Sequence, residues 1–385
     1  MSSWFGWLDH CEQDRRRMLD VIDLFRQKDS VDEMGLGSVR DTLANLLSPG
    51  TSTIQTRARY FFFIPWMYKD LERRKYDGDR MAGEARNFEV KLSAALTASG
   101  DPQGTFGREA GAAIKRLPSS VYWAGLKRLG FRYFDGAQQR YHRFAHRRAE
   151  IANWNPYLPD QPAELPGVAS HHLTRAEGQF FENQLQQHAQ GSLFHFIVDS
   201  RDPGADALGP WDHPLFGSMP AELRYWLTEA RNYAELMHGA ALLYNLLLSR
   251  KRGMEEFATN YTARMQEWSL VIQARAADLR SWNRGALWDL IRRNNPRMPP
   301  QTRSFSECWI NMVLSREDPA ALRDDAAARQ LIAGRERALK GARARLFSQP
   351  HLESWGGESG ASMLDYRWFI TRNLAREIIA GLEAN

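Results

Sequence analysis

Nine residues, Tyr60 to Tyr68, read YFFFIPWMY with hardly a polar interruption. A run this rich in rings and branched chains is buried whichever secondary structure it takes. It is also far short of the roughly 20 apolar residues that cross a bilayer, as is the other long apolar run, 240–248. The chain therefore has to gather a core around this block, and no membrane span is expected. Cations bracket it: Arg57 and Arg59 before, Lys69, Arg73, Arg74 and Lys75 after. They can form a basic rim around an aromatic plug that holds a nucleic-acid backbone. Equally, they can be the solvated ends of a core helix, their stems shielding apolar surface.

The rest of the chain reads as mainly α. Apolar residues recur every three or four positions over Glu12 to Phe25, Ser38 to Leu47, Glu222 to Leu248 (bent at Gly239), Arg250 to Asn283, Trp282 to Arg293, Ser304 to Ser315 and Met363 to Leu382. Asp318-Pro319 opens an Ala/Arg-rich helix whose later cations, Arg335, Arg337, Lys340, Arg343 and Arg345, read as a solvated face. Strands are few and short; 192–200 reads as a strand or a short buried helix. A length of 385 residues exceeds what one core usually serves. Four prolines in 155–172 mark a connector between an N-terminal helical domain, 1–154, and a C-terminal one, 173–385. Within the latter, Thr174 caps a helix, 201–220 is a Pro/Gly-rich loop, and 294–302 is a second linker.

The densest mixture of cations and aromatics lies in 105–154. Arg108 to Arg116 suggests a short helix broken at Leu117-Pro118, because proline disfavours a helical residue before it. Ser119 or Ser120 then caps a second helix, Val121 to Leu129, which Gly130 closes. This is the outline of a helix-turn-helix, in which Ser119, Ser120, Tyr122, Trp123, Lys127 and Arg128 face nucleic acid. The following RYHRFAHRR adds Arg140, His142, Arg143, Arg147 and Arg148. His142 and His146 stand one helical turn apart, as in some zinc sites, but the surrounding positive charge favours phosphate over a metal ion. Two short helices around a turn also occur as plain packing in all-α proteins.

Four stretches, GWLDHCEQDRRRMLDVIDLFRQKD, GLGSVRDTLANLLSPGTSTIQTRARYFFFIPWMYKDLERR, PSSVYWAGLKRLGFR and LDYRWFITRNLAREIIAGL, resemble a bacterial family of unknown function. Its members are often encoded beside helicases and phospholipase-D-like proteins in loci linked to phage defence. The resemblance touches both ends and the middle of the chain. It implies a setting, carries over no catalytic residue, and leaves the chemistry to the residues themselves.

His171, His172, His195, Asp199, Asp202, Asp206, Asp212 and His213 gather in and before the Pro/Gly-rich loop. Imidazole and carboxylate are the groups that hold divalent metals and activate water for phosphodiester cleavage. Of these, His195, Asp199, Asp212 and His213 are the catalytic candidates, although no spacing matches a recognised metal motif, and Asp and His also serve turns and caps. Glu235 and His238 have the (i, i+3) spacing of di-iron bundles, but no second such pair completes the set. A phosphate-binding loop, a dinucleotide fingerprint, a nucleophile elbow and a zinc-protease motif are all missing, so neither cofactor nor metal is assigned. Two cysteines, Cys11 and Cys308, make neither a zinc site nor a disulfide scaffold and fit a reducing cytoplasm.

A net charge of +5 permits a phosphate partner without demanding one, and 13 tryptophans suit cores, interfaces and base stacking alike. The reading that results is a nucleic-acid-associated accessory or scaffolding subunit of an antiphage assembly. Its expected partners are DNA and a helicase or nuclease subunit. The alternatives are a metal-dependent nuclease or hydrolase using His195 to His213, and a protein-interaction adaptor that touches no nucleic acid.

Overall fold

A computed structural model describes residues 32–145 and 152–384. The expected Glu12–Phe25 helix, Cys11, His146, Arg147 and Arg148 lie outside these residues. The described chain is mainly helical, as the apolar periodicity implies, and contains no strand. Residues 192–200 settle as the helix Leu193–Asp199, with the Ser192 hydroxyl capping His195 N. Two compact units divide the chain, each assembled from separated stretches: 1–42 with 229–364, and 43–228 with 365–385. The proline-rich 155–172 lies inside the second.

In the second unit the Tyr60–Arg73 helix is the core element. Every residue from Tyr60 to Tyr68 is buried, and Phe61 and Phe62 meet Phe131 and Phe181 at ring separations of 5.1–6.2 Å. The C-terminal Trp368–Glu383 helix packs on the Arg175–His188 and Leu193–Asp199 helices. The approach is close: a Cβ on Gly178 would sit 2.8 Å from the Leu382 backbone nitrogen. Thr174 and Glu177 form a capping box at the start of Arg175–His188, as the sequence suggested for Thr174. The Pro/Gly-rich loop is held by this frame. Trp368 Nε1 donates to the Ala207 carbonyl (3.0 Å), and Trp211 is buried.

In the first unit, residues 229–252 of the Ala221–Arg252 helix meet Glu255–Ala274, Pro300–Leu314 and Ala326–Lys340 through Trp268 Nε1 on the Glu235 carbonyl (2.7 Å), Trp309 Nε1 on that of Leu236 (2.8 Å) and the Tyr244 hydroxyl on Glu336 (2.5 Å). Helical hydrogen bonding continues past Gly239, the position of the expected bend. The glycine makes room for Trp268, whose ring stacks on Trp309 at 6.3 Å. Gly253 (φ +70°) stops that helix, so the expected Arg250–Asn283 helix becomes Glu255–Ala274 and Ala276–Ser281. The Ala/Arg-rich stretch is likewise split. Asp325 accepts from Ala328 N (2.9 Å) and starts a new helix, Ala326–Lys340, after the 3-10 turn Pro319–Arg323. Its cations are not all solvated, contrary to expectation. Buried Arg335 donates to the Met34 carbonyl (2.9 Å), while Lys340 and Arg345 converge on buried Glu33. Burial lowers the Lys340 pKa to about 8.

Candidate nucleic-acid interface

Between Thr105 and Ile114 no α-helix forms. Gly107 (φ +77°) and Gly111 (φ +51°) take conformations costly for other residues, leaving only a 3-10 turn, Gly111–Ala113. The first helix of a helix-turn-helix is thus missing. The second exists as Pro118–Arg128, but it begins with proline at its first position, and neither Ser119 nor Ser120 caps it. Gly130 (φ +73°) does close it, as expected.

Past Gly130 the chain runs briefly antiparallel to 153–155, bridged at Arg132 and Trp154. Tyr133 N and Phe134 N donate to the Asn153 carbonyl (2.7 and 3.0 Å), and Asn155 N to that of Phe131 (3.0 Å). Arg132 points inward. Its guanidinium lies 4.1 Å from the Trp123 ring centre and donates to the Trp123 carbonyl at 3.0 Å; burial lowers its pKa to about 10. The short helix Gln138–Phe144 follows, anchored by buried polar contacts. Gln138 Nε2 donates to the Tyr68 hydroxyl (2.8 Å) and to Ser119 Oγ (2.9 Å), and Ser119 N and Oγ donate to wholly buried Glu89 (2.6 and 2.9 Å). The Tyr68 hydroxyl, which accepts from Gln138, also hydrogen-bonds His142 Nε2 (2.8 Å). Desolvation lowers the His142 imidazole pKa. Tyr141 and Trp154 reach Glu72, whose carboxyl pKa burial raises.

What this scaffold presents outward is cationic. Lys127, Arg128, Arg140 and Arg143 are exposed, and Asp135 is the one acid between positions 127 and 144. Among the described residues no carboxylate ion-pairs with any of the four. Lys127 Nζ rests on the Tyr133 carbonyl (3.1 Å) and Arg128 on that of His188 (2.5 Å). The Arg140 stem passes Gly136, where a Cβ would lie 3.4 Å from its Cδ. Tyr133 (42%), Phe144 (41%) and Tyr157 (82%) are exposed aromatics of the same region.

The remaining candidates for nucleic-acid contact fall elsewhere. Ser120 is exposed, with its hydroxyl on the Leu117 carbonyl. Ser119 is interior, and so is Tyr122, whose hydroxyl accepts from Thr56 N and Arg57 N and donates to the Arg57 carbonyl. Arg57 is largely enclosed by Asp101 and Glu377, both at 2.5 Å. Arg59 is buried on Glu177 at 2.8 Å. Arg73 and Arg74 pair with Asp70 at the helix end.

The metal-type residues are spread over separate tasks. His195 bonds Gln186 (2.5 Å), and Asp199 is exposed at the end of the same short helix. Asp212 Oδ2 accepts from Gly209 N (3.0 Å) in a turn. His213 is buried, with Nδ1 accepting from Leu215 N and Nε2 donating to the Asp202 carbonyl, both at 3.1 Å, so both ring nitrogens are committed. His171 Nε2 meets Thr105 Oγ1 (2.9 Å), and burial drops its pKa to about 3. Glu235 receives Arg231 and Arg275, while His238 bonds the Ala361 carbonyl, so the two side chains have separate partners. Among the described residues, no three His, Cys, Asp or Glu side chains come together as a metal site. No described helix is long and apolar enough to cross a membrane.

Sequence reasoning did not single out Tyr157, because nothing in an Asn-Pro-Tyr triplet signals which ring stays outside. Phe131, Tyr133 and Phe134 fall in the cation- and aromatic-rich stretch 105–154, but the fold buries Arg132 and Phe134 and leaves Tyr133 out. The chain has no match among curated proteins or among solved structures. A family model does match it, over residues 1–381, and the chain belongs to that family, DUF6361, a family of unknown function.

Proposed function

We propose that this protein is a nucleic-acid-associated accessory subunit, binding DNA through the Lys127–Phe144 surface. The observation that carries the reading is the set Lys127, Arg128, Arg140 and Arg143, all exposed, with a single acid in the same stretch. Positive charge of this kind attracts a phosphate backbone and releases its condensed counterions. The setting, a bacterial antiphage assembly with a helicase or nuclease subunit as partner, rests on the resemblance of the four sequence stretches and is part of the proposal.

The test is fluorescence anisotropy of labelled DNA with the full chain across a salt series. Affinity should fall steeply with salt. Replacing all four cations by glutamate should weaken binding and flatten the log–log salt slope by about 3 to 4, close to 0.9 per phosphate contact removed. Arg73→Glu with Arg74→Glu, cations already paired with Asp70, is the control and should leave the slope unchanged. Undiminished binding by the fourfold variant would refute this surface as the contact.

A further inference from the structure

We propose that the ligand of this surface is single-stranded nucleic acid, with bases stacked on Tyr133 and Tyr157; the inference rests on the reading of that surface as nucleic-acid-binding. Most large aromatics of the second unit are interior, among them Phe61, Tyr122 and Trp154, whereas Tyr157 is 82% and Tyr133 42% exposed. Their backbones are hydrogen-bonded to the fold. Tyr133 N donates to the Asn153 carbonyl at 2.7 Å, and its own carbonyl holds Lys127. Tyr157 N donates to Asn155 Oδ1 at 3.0 Å, and that asparagine is tied to the Gly130 carbonyl at 3.0 Å.

Rings held on an ordered backbone lose little conformational freedom when a base stacks on them. Cations belong to the same stretch of backbone: Lys127 Nζ rests on the Tyr133 carbonyl, and Asn155, which holds the Tyr157 amide, is bonded to Gly130, two residues after exposed Arg128. A stacking platform flanked by phosphate-binding cations is how proteins hold single strands irrespective of sequence, since every unpaired base offers a π-face. In a duplex those faces are covered by neighbouring pairs, and reading occurs through the grooves by an inserted helix. The Pro118–Arg128 helix is poorly equipped for that. Ser119 and Tyr122 are turned inward, and no helix precedes it in the place a helix-turn-helix requires.

Three labelled probes separate the possibilities with the full chain at one salt concentration: an oligothymidine of about sixteen nucleotides, a strand of the same length lacking bases, and a duplex of the same length. The oligothymidine should bind at least about tenfold more tightly than either other probe. Tyr133→Ala and Tyr157→Ala should each lower its affinity by about 5- to 100-fold, the range seen for loss of one stacked base. Duplex affinity should stay within about twofold, and Tyr133→Phe and Tyr157→Phe should retain single-strand binding. Unchanged thermal midpoints would confirm that these exposed positions leave the fold intact. Equal affinity for strand and duplex, tight binding of the baseless strand, or indifference to both alanine variants overturns the single-strand assignment and leaves a phosphate-binding surface standing. Failure to bind any of the three probes removes that underlying reading as well.

Discussion

Glu89 is a carboxyl placed wholly inside the second unit, accepting from Ser119 N and Oγ. Desolvation raises its pKa from 4.5 to about 7. The folded form therefore holds a proton that the unfolded chain gives up at lower pH, so stability contributed by this group is complete below 4.5 and is lost as pH rises through about 7. The interval corresponds to ~3 kcal/mol. Glu89→Gln keeps an acceptor for Ser119 N and has no proton to lose. Relative to the native chain, the variant should gain up to ~3 kcal/mol between pH 5 and pH 8. Urea unfolding at the two pH values measures this, and an equal difference at both would show that Glu89 does not titrate in that window. His171, lowered to about 3, acts in the opposite sense: its contribution is present above 6.5 and is lost as pH falls toward 3. None of this was legible from residue types. Ser119 stood where an N-cap belongs and turned inward instead, its N–H and hydroxyl both bonded to a carboxyl 30 positions earlier in the chain.

At the scale of elements, the same substitution should have opposite signs at two helical glycines. Alanine is favoured over glycine in a helix interior by about 1 kcal/mol. At Gly334, in the middle of Ala326–Lys340, a Cβ would meet nothing within 4 Å. Gly334→Ala should stabilise by about 0.5–1 kcal/mol. At Gly239 a Cβ would lie 2.2 Å from Cζ2 of Trp268, a ring buried and held by its bond to the Glu235 carbonyl (2.7 Å). Overpacking there should outweigh the propensity gain and destabilise by about 1–3 kcal/mol. Denaturant midpoints of the two variants settle the pair; stabilisation at both sites would mean that Trp268 yields readily. Sequence reading located most helices because apolar spacing is a local signal. It misplaced interruptions where the cause was a single residue, as at Gly253 and Asp325, since each is also tolerated inside a helix. It treated Gly239 as a weakness in the helix, although the tryptophan that requires it lies 29 positions later.

At the scale of the whole chain, the core was legible and its closure was not. YFFFIPWMY had to be buried and is, but nothing local tells that the helix covering the Arg175–His188 and Leu193–Asp199 helices comes from the last stretch of the chain. Trp368, Leu374, Ile378 and Ile379 of that terminal helix are buried. Glu377, on the same helix, pairs with Arg57 and accepts from Ala58 N at 2.7 Å. At about 1.5–3 kcal/mol for each buried apolar side chain, the four contribute ~6–12 kcal/mol, comparable to the ~5–15 kcal/mol that keeps a domain folded. A chain ending at Leu364 should therefore lose the second unit as a cooperative structure, with amide protection over 60–73 and 175–199 collapsing toward the unfolded rate. Protection in 255–340 should persist, because those helices belong to the other compact unit. Hydrogen exchange read by mass spectrometry distinguishes the outcomes. Surviving protection around Tyr60–Arg73 would mean that the aromatic core closes without its C-terminal helix, and loss across both ranges would mean that the two units fold as one.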